Sequence, residues 1–398
     1  MPVIVQKFGG TSLKDSHTRD LTLGHILLTV KEGKGVVVVV SAMGRKPSPY
    51  ATDTLIELLK AAGEPASPRE LDLMVSCGEI ISTALMAHSL SSRGCPAVGL
   101  TGGQAGIITD GKYGQAEITE INSELILRHL REGKVVVVAG FQGVSPQGEV
   151  TTLGRGGSDT SAAAIGVAVS AEMVDIYTDV EGVAVVNPAL VPKAPFLKEI
   201  DFKDMLRLAN EGCRVVHPRA IKTALAGNLP LRVRSTFSRK EGTLIHTISP
   251  SRKEYFPFIG IADQKELALL TFTPAEEERK EIASHIKKAI IPFWHESLPP
   301  EGRELSFLVR EDVFYPFLLE ALSRIGLPHK LRTSLAKLSL ICHKKPPPEL
   351  QSRLSNLLEQ HDLYPLRTIS QAACVKLLLP QSSLKEAANL IYRKIFLK

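Results

Sequence analysis

The first 240 residues alternate short runs of β-branched apolar residues with amphipathic stretches. Continuous apolar runs are typical of strands buried on both faces, and they lie at residues 3–5, 36–40, 135–139 and 174–177. The amphipathic stretches predict helices at residues 18–31, 52–61, 68–92 and 119–131. Strands that alternate with helices predict an α/β fold, with a mostly parallel sheet covered by helices on both faces.

Glycine is unevenly distributed along the chain. Of the 30 glycines, only Gly260, Gly302 and Gly326 lie after residue 250. Glycine clusters occur where the backbone closely approaches a ligand or takes a positive φ angle. The glycine-rich loops follow predicted strands, and parallel sheets bind ligands at the carboxyl ends of their strands. We therefore expect the chemistry within the first 250 residues.

The C-terminal part has a different pattern. Strand and helix signals recur there in two blocks, which predict two small α+β repeats. Turn-forming and charged residues at 246–258 indicate a linker. The predicted organisation is a first domain at 1–245, the linker, and repeats at 259–330 and 331–398.

The composition limits which binding partners and which cellular location are expected for this protein. The 48 basic and 42 acidic residues are interspersed, so neither nucleic acid nor a membrane surface is an expected partner. The longest wholly apolar run, 36–40, is far shorter than the ~20 residues of a membrane-spanning helix. There is no secretory-signal pattern, which predicts a cytoplasmic protein. The five cysteines and eleven histidines show no metal-ligand spacing, so no resident metal is expected.

The first glycine-rich loop directly follows the first predicted strand. Lys7 and Phe8 are followed by Gly9 and Gly10. Backbone N–H groups exposed by the glycines, together with the lysine charge, suit an anion site. The order of a Walker loop is absent. A tight strand-to-helix turn is an equally acceptable interpretation of this loop alone.

A second glycine-rich loop, GRGGSDT at residues 154–160, precedes a predicted helix. Ser158, Asp159 or Thr160 could each cap that helix. Arg155 could grip a carboxylate or phosphate with two hydrogen bonds, and Asp159 could orient Lys7. The alternative is a capping aspartate beside a surface arginine. Two loops of this type in one domain favour an anion site.

Two further groups of polar residues are candidates. Thr178 and Asp179 follow the predicted strand at 174–177, and we expect them to point to the same sheet edge as the loops. Glu79 follows Cys77 and Gly78 before a helical segment. On spacing alone, Glu79 complements a helix dipole; binding a substrate ammonium group is the alternative.

Several segments together resemble the aspartate kinases of the amino-acid-kinase superfamily. The resemblance covers about residues 1–245 in the family's order. Its strongest parts are VQKFGGTS (5–12), VVVVVSAMGR (36–45), SCGEIIS (76–82), TTLGRGGSDTSAAA (151–164) and YTDVEGV (177–183). The runs VSAMGRKPSPYATD and SPRELDLMVSCGE are most similar to the monofunctional, diaminopimelate-responsive type of Gram-positive spore formers. In that group the C-terminal region is a pair of ACT domains.

The resemblance implies transfer of the γ-phosphoryl group of ATP to the β-carboxylate of L-aspartate, the first step towards diaminopimelate, lysine, threonine and methionine. Mg²⁺ would arrive with ATP, bound by phosphate oxygens, with no tightly held metal or organic cofactor. The implied catalytic residues are Lys7, Asp159 and Arg155. The implied ATP site consists of Lys7, Phe8, Gly9, Gly10, Ser41, Gly157, Thr178, Asp179 and Arg214. The implied aspartate site consists of Thr52, Glu79, Phe141, Gln142, Arg155 and Ser158.

Two departures from the family's pattern affect the nucleotide side. Residues 182–189 read GVAVVNPA where the family usually has GVYTADPR. Arg214 replaces the family's lysine. Each lost polar contact weakens ATP binding by ~1–3 kcal/mol, so we expect weaker ATP binding with the chemistry retained. The alternatives are a catalytically weak or inactive regulatory homologue, which binds a small molecule or a partner subunit, and a kinase of another amino acid or of carbamate.

The predicted ACT-like repeats also depart from the family's pattern. Effector pockets in such pairs usually use a glycine-rich loop after the first strand of a repeat. The corresponding segments here, 272–278 and 343–349, contain no glycine, and the second contains three prolines. Proline lacks the N–H that would bind an amino-acid carboxylate. We therefore expect weak or no response to lysine, threonine or diaminopimelate, and a homodimer formed through the repeats.

Overall fold

A computed structural model describes residues 1–63, 65–248, 258–275, 277, 280–284, 294–299, 303–311, 319–320, 322–323 and 328–397. These residues form two compact units. The first contains Met1–Val183, Phe196–Asn210 and the described residues from Arg214 to 248. The second contains Ala184–Pro195, Glu211–Cys213 and the described residues from 258 onward.

An eight-stranded sheet forms the centre of the first unit. In spatial order its strands are β10 (Glu199–Asp201), β12 (Thr243–His246), β11 (Leu231–Ser235), β9 (Met173–Thr178), β1 (Val3–Phe8), β2 (Gly35–Val40), β6 (Val135–Ala139) and β3 (Ala97–Leu100). All neighbouring strands are parallel except β11 and β12. Strands β2 and β6 are buried along their whole length, as expected for a sheet covered on both faces. The predicted α/β class is confirmed.

Seven helices belong to the described part of the first unit: α1 (Ser16–Lys31), α2 (Thr52–Ala62), α3 (Pro68–Ser91), α4 (Glu124–Arg131), α5 (Gly157–Ala168), α6 (Phe202–Asn210) and α7 (Pro218–Ala226). A smaller sheet has the order β5 (Ile118–Ile121), β4 (Ile107–Thr109), β7 (Gln142–Val144) and β8 (Val150–Thr152). The helix predicted at 119–131 was wrong in its first part. Residues there pair with β4, and this pairing prevails over helical periodicity until α4 begins.

Helix α3 is a core helix. By length and composition alone it is apolar enough to cross a membrane, but 50% of that stretch is buried within the protein. Met86 and Leu90 pack there with Phe8 and residues of β2 and β6. Its buried face also carries two acids, Asp72 and Glu79. A buried carboxylate costs free energy unless it is paired, so both acids point to a specific role.

The second unit is built on one antiparallel sheet of six strands. Their order is β14 (Trp294–Ser297), β15 (Leu305–Arg310), β13 (Phe258–Phe272), β16 (His329–Cys342), β18 (Cys374–Pro380) and β17 (Arg367–Gln371), with helices α8 (Pro348–Glu359) and α9 (Leu384–Ile395). Strands β13 and β16 pair with each other and so join the two predicted repeats in one sheet. In the first repeat the sequence pattern predicts helices at 275–290 and 313–325; most of these residues, and residues 249–257 of the predicted linker, lie outside the described residues. The ACT-like nature of the repeats and their boundaries stay predictions.

Two short segments from the predicted range 1–245, Ala184–Pro195 and Glu211–Cys213, belong to the second unit. The first of them pairs with β13. The Ile261 N–H donates to the Val185 carbonyl oxygen over 2.7 Å, and Val186 bridges to the same strand. The Asn187 amide donates to Asp263 Oδ1 over 2.9 Å. Val185 and Val186 are buried. The segment that departs from the family's pattern therefore contributes its side chains to the packing of the second unit.

Candidate active site

Lys7 and Asp159 form an ion pair near the carboxyl end of β1. Lys7 Nζ lies 2.8 Å from Asp159 Oδ1, and the two side chains are 13% and 12% exposed. Lys7 lies in β1 and Asp159 in the first turn of α5, and the two elements meet at this edge of the sheet. The other Asp159 oxygen accepts a long hydrogen bond of 3.4 Å from the His217 N–H. Low exposure strengthens the attraction within the pair and leaves the lysine charge fixed in position.

The loops that follow β1 and β2 are bound to each other. The Ser41 N–H donates to the Phe8 carbonyl over 3.1 Å, and the Gly44 N–H donates to the Gly10 carbonyl over 3.0 Å. A Cβ at Gly10 would lie 2.7 Å from the Ala42 carbonyl oxygen, which no side chain permits. Glycine is therefore required at this position by the close approach of the two loops.

The Phe8 side chain is part of the hydrophobic core. Its ring is fully buried and stacks on Tyr177 with a centroid distance of 4.5 Å. The Phe8 side chain therefore cannot serve the predicted ATP site. The neighbouring Gly9 lies beside the ion pair, since a Cβ there would be 3.5 Å from Lys7 Nζ.

Glu79 is a buried acid with one satisfied oxygen. Its Oε1 accepts the Ala42 N–H over 2.9 Å, whereas Oε2 is buried without a hydrogen-bond partner among the described residues. Burial raises the pKa of Glu79 to about 8, although the Ala42 N–H acts against that rise. Because Glu79 lies in the middle of α3, the dipole interpretation of this residue was wrong. An uncompensated carboxyl oxygen in a dry site suits a cationic group such as an ammonium.

The GRGGSDT loop leads into α5 through left-handed backbone. Gly156 is the N-cap at φ +68° and no side chain caps the helix, so the predicted caps Ser158, Asp159 and Thr160 were wrong. A Cβ at Gly156 would lie 2.1 Å from the His217 ring. Ser158 is nearly buried and accepts a 3.0 Å hydrogen bond from the Ser41 hydroxyl. Arg155 projects from this loop and is exposed.

Phe141 and Gln142 follow β6 and pack around the start of α5. The Phe141 N–H donates to Ser161 Oγ over 3.1 Å at a φ of +68°. A Cβ at Gly157 would lie 2.8 Å from the Phe141 ring. The buried Gln142 amide donates to the Ser76 carbonyl over 2.9 Å, which connects this loop to α3.

The remaining predicted site residues have no direct contact with the Lys7–Asp159 ion pair among the hydrogen bonds and ion pairs of the described residues. Thr178 ends β9, and its hydroxyl donates to Asp179 Oδ1 over 3.1 Å. Thr52 is the first residue of α2, and Arg214 is exposed before α7. Within the described ranges, no hydrogen bond or ion pair joins Thr52 or Arg214 to Lys7 or Asp159. The structure therefore groups Lys7, Asp159, Ser41, Ser158, Phe141, Gln142 and Glu79 through direct contacts or shared loops.

Sequence reasoning missed three residues that hold the site loops. Asp72, 1% exposed, accepts hydrogen bonds from the Thr152 N–H and hydroxyl, each 2.7 Å long, and from the Gly114 N–H. His217 packs on Gly156, and Arg219 donates to carbonyls of the same loop. Asp72 lies seven residues before Glu79 on the buried face of α3, and that spacing was the available signal.

This chain is similar to known proteins over most of its length. The model of the amino acid kinase family matches residues 2–235. Aspartokinase 1 of Bacillus subtilis is 46% identical over 294 residues, which are 73% of this chain and 72% of that protein. An aspartokinase of Thermus thermophilus is 39% identical over 357 residues, or 86% and 85% of the two chains.

The fold is shared with a solved enzyme. The structure of Escherichia coli aspartokinase III in complex with aspartate and ADP superposes with a TM-score of 0.80 at 23% identity and covers 99% of this chain and 100% of that chain. The mostly parallel sheet and the antiparallel C-terminal region are thereby confirmed as the architecture of this fold. From the family match and the identity to its relatives, the chain belongs to the amino acid kinase family and, within it, to the aspartokinases.

Proposed function

We propose that this chain transfers the γ-phosphoryl group of ATP to the β-carboxylate of L-aspartate and so forms 4-phospho-L-aspartate. The observation that carries the proposal is the Lys7–Asp159 ion pair near the end of β1, beside two glycines. The aspartate and ADP bound by the related Escherichia coli enzyme support the choice of substrates. The pair also favours an active enzyme over the regulatory homologue.

Phosphoryl transfer depends on positioning and on neutralising charge, so the protein needs no nucleophile. Lys7 places one positive charge where the transferring group passes, and Asp159 fixes the position of that charge. The Gly10 N–H and the Ser41 hydroxyl serve the phosphates, and the Gly9 N–H can join them by giving up its long, 3.4 Å hydrogen bond to the Tyr177 carbonyl oxygen. Mg²⁺ enters with ATP on the phosphate oxygens and neutralises part of their charge.

The acceptor substrate carries a positive ammonium group and negative carboxylates, and the site binds both. Glu79 binds the ammonium group through its unpartnered oxygen, and Arg155 binds a carboxylate of aspartate. Thr52, Phe141, Gln142 and Ser158 line the aspartate site. A substrate with an α-amino group and an extra carboxylate fits this charge pattern better than other amino acids do.

The nucleotide side uses fewer side chains than the family's pattern. Thr178, Asp179, Gly157 and Arg214 contact the nucleotide in this proposal. Residues 184–189 give no side chain to it, because Val185 and Val186 are buried in the second unit. We expect an elevated KM for ATP as a consequence, with the chemistry retained.

The second unit pairs two subunits into a homodimer in this proposal. Its glycine-free loops bind lysine, threonine and diaminopimelate weakly or not at all. This distinguishes the chain from the diaminopimelate-responsive type that its kinase segment resembles. Sedimentation of the full chain tests the dimer directly.

The function is tested by trapping the acyl phosphate as a hydroxamate in the wild type and in Lys7→Met. We expect turnover in the wild type and at least a thousandfold loss in the variant, because the charge on the transferring group is lost. Lys34→Met is the matched control, since Lys34 pairs with Glu172 in an exposed ion pair. Equal activity of wild type and Lys7→Met would overturn the proposal.

A further inference from the structure

Arg219 holds the loop from which Arg155 projects. Its Nη2 group donates to the Arg155 carbonyl oxygen over 3.0 Å and also to the Leu153 carbonyl oxygen. Arg219 lies in the first turn of α7, which begins at Pro218 and is capped by His217. One guanidinium therefore ties the backbone on both sides of Gly154 to a helix of the first unit.

The Leu153 N–H donates to the Phe141 carbonyl and the Gly157 N–H to the Gly154 carbonyl, but the hydrogen bond to the Arg155 backbone itself comes from Arg219. Gly154 and Gly156 flank Arg155, and both take a φ of +68°. Glycine has more backbone freedom than other residues, so a glycine on each side weakens the hold on Arg155. The Arg155 side chain is exposed and depends on its backbone for its direction. A Cβ at Gly154 would lie 3.8 Å from Arg219 Nη2, so the guanidinium lies against this glycine.

We propose that Arg219 is a positioning residue for Arg155, and that it sets aspartate affinity without touching the substrate. The inference rests on the proposed function, in which Arg155 binds a carboxylate of aspartate. By fixing two carbonyls, Arg219 orients the loop so that the Arg155 guanidinium faces the substrate before binding. This orientation removes an ordering cost that binding would otherwise include.

The chemistry of the side chain matters at this position. Both contacts come from one NH₂ group of the guanidinium, Nη2, whose two N–H bonds can each serve a carbonyl oxygen, and the long side chain lets that group reach both. A glutamine amide provides one NH₂ group at shorter reach, and methionine retains only the apolar stem. We therefore expect the order of aspartate affinity to be arginine, then glutamine, then methionine.

The test compares Arg219→Met, Arg219→Gln, Arg155→Met and the Arg155→Met/Arg219→Met double variant in the full chain. We expect Arg219→Met to raise the aspartate KM about tenfold while the ATP KM changes less than twofold, with Arg219→Gln between it and the wild type. Because Arg219 acts through Arg155, the double variant should have the aspartate KM of Arg155→Met alone. Arg207→Met is the matched control, since Arg207 is a half-exposed arginine paired with Asp204.

An unchanged aspartate KM in Arg219→Met, or additive effects in the double variant, would overturn the inference. If Arg219→Met does not fold, Arg219→Gln decides, since an aspartate KM equal to the wild type would contradict the positioning role. A merely structural role would raise both KM values and lower the melting temperature together. A wild type that forms no aspartyl phosphate would instead refute the proposed function, and with it this inference.

Discussion

Replacement of Glu79 by glutamine separates the charge of this acid from its shape. The amide keeps an oxygen that accepts the Ala42 N–H, which Glu79 accepts over 2.9 Å. It removes a carboxyl whose pKa burial raises from 4.5 to about 8. The substitution should therefore leave the fold intact while it changes both the pH dependence of stability and the affinity for aspartate.

The sign of the stability effect follows from proton binding. Between pH 4.5 and about 8 the folded protein keeps the Glu79 proton and the unfolded chain has lost it. The folded state then binds more protons, so the free energy of unfolding falls as pH rises through this window. At about 1.4 kcal/mol per pH unit the fall reaches about 3 kcal/mol by pH 7, and Glu79→Gln lacks it.

Urea unfolding from pH 4.5 to 8 measures this difference. The advantage of Glu79→Gln over the wild type should grow by about 3 kcal/mol between pH 4.5 and 7. The exposed Glu120 provides the control variant Glu120→Gln, whose curve should parallel the wild type. Aspartate KM should rise about a hundredfold in Glu79→Gln, since Glu79 gives up its proton when the ammonium binds and the amide cannot provide the resulting negative charge. Parallel stability curves for wild type and Glu79→Gln would refute the reasoning.

Further predictions concern the loops and the second unit. Asp72→Asn should lower the free energy of unfolding by about 2 kcal/mol in urea, because an NH₂ group would face the donors on Thr152 and Gly114. Gly156→Ala should cost about 2 kcal/mol or more in the same assay, because a Cβ at φ +68° would press on the neighbouring imidazole ring. Lys337→Met leaves two partly buried glutamates, Glu211 and Glu296, with Lys376 as the lysine that still pairs with them, and should cost about 3 kcal/mol, seen as a lower melting temperature by calorimetry; an unchanged transition would contradict it. Titration calorimetry should detect no micromolar binding of lysine, threonine or diaminopimelate.

Local sequence signals predicted the central sheet and the loops at its edge. The runs of valine in β2 and β6 are buried throughout, because a strand covered on both faces needs no polar side. The loops that follow β1 and precede α5 bring Lys7 and Asp159 together, as the shared edge of a parallel sheet requires. Both features depend on short stretches of sequence and on the topology of parallel strands.

Contacts between residues far apart in the sequence could not be predicted from these local signals. Asp72 binds Thr152 across 80 positions, and Arg219 binds the Arg155 carbonyl across 64. Neither hydrogen bond can be predicted from a local sequence pattern, because every residue except proline carries the same backbone N–H and carbonyl groups. The start of the predicted helix at 119–131 failed for the same reason, since pairing with β4 is a tertiary contact. The insertion of 184–195 into the second unit likewise depends on a strand more than 60 residues away.

The most direct test of the central claim is the acceptor specificity of the wild-type chain. Hydroxamate trapping over a range of ATP and acceptor concentrations would compare L-aspartate with L-glutamate and N-acetylglutamate. The account predicts saturable turnover with aspartate, a kcat/KM at least tenfold above that for L-glutamate, which is longer by one methylene, and at least a hundredfold above that for N-acetylglutamate, which has no ammonium group for Glu79 to bind. A folded protein without turnover at high ATP, or one that prefers a rival acceptor, would contradict it.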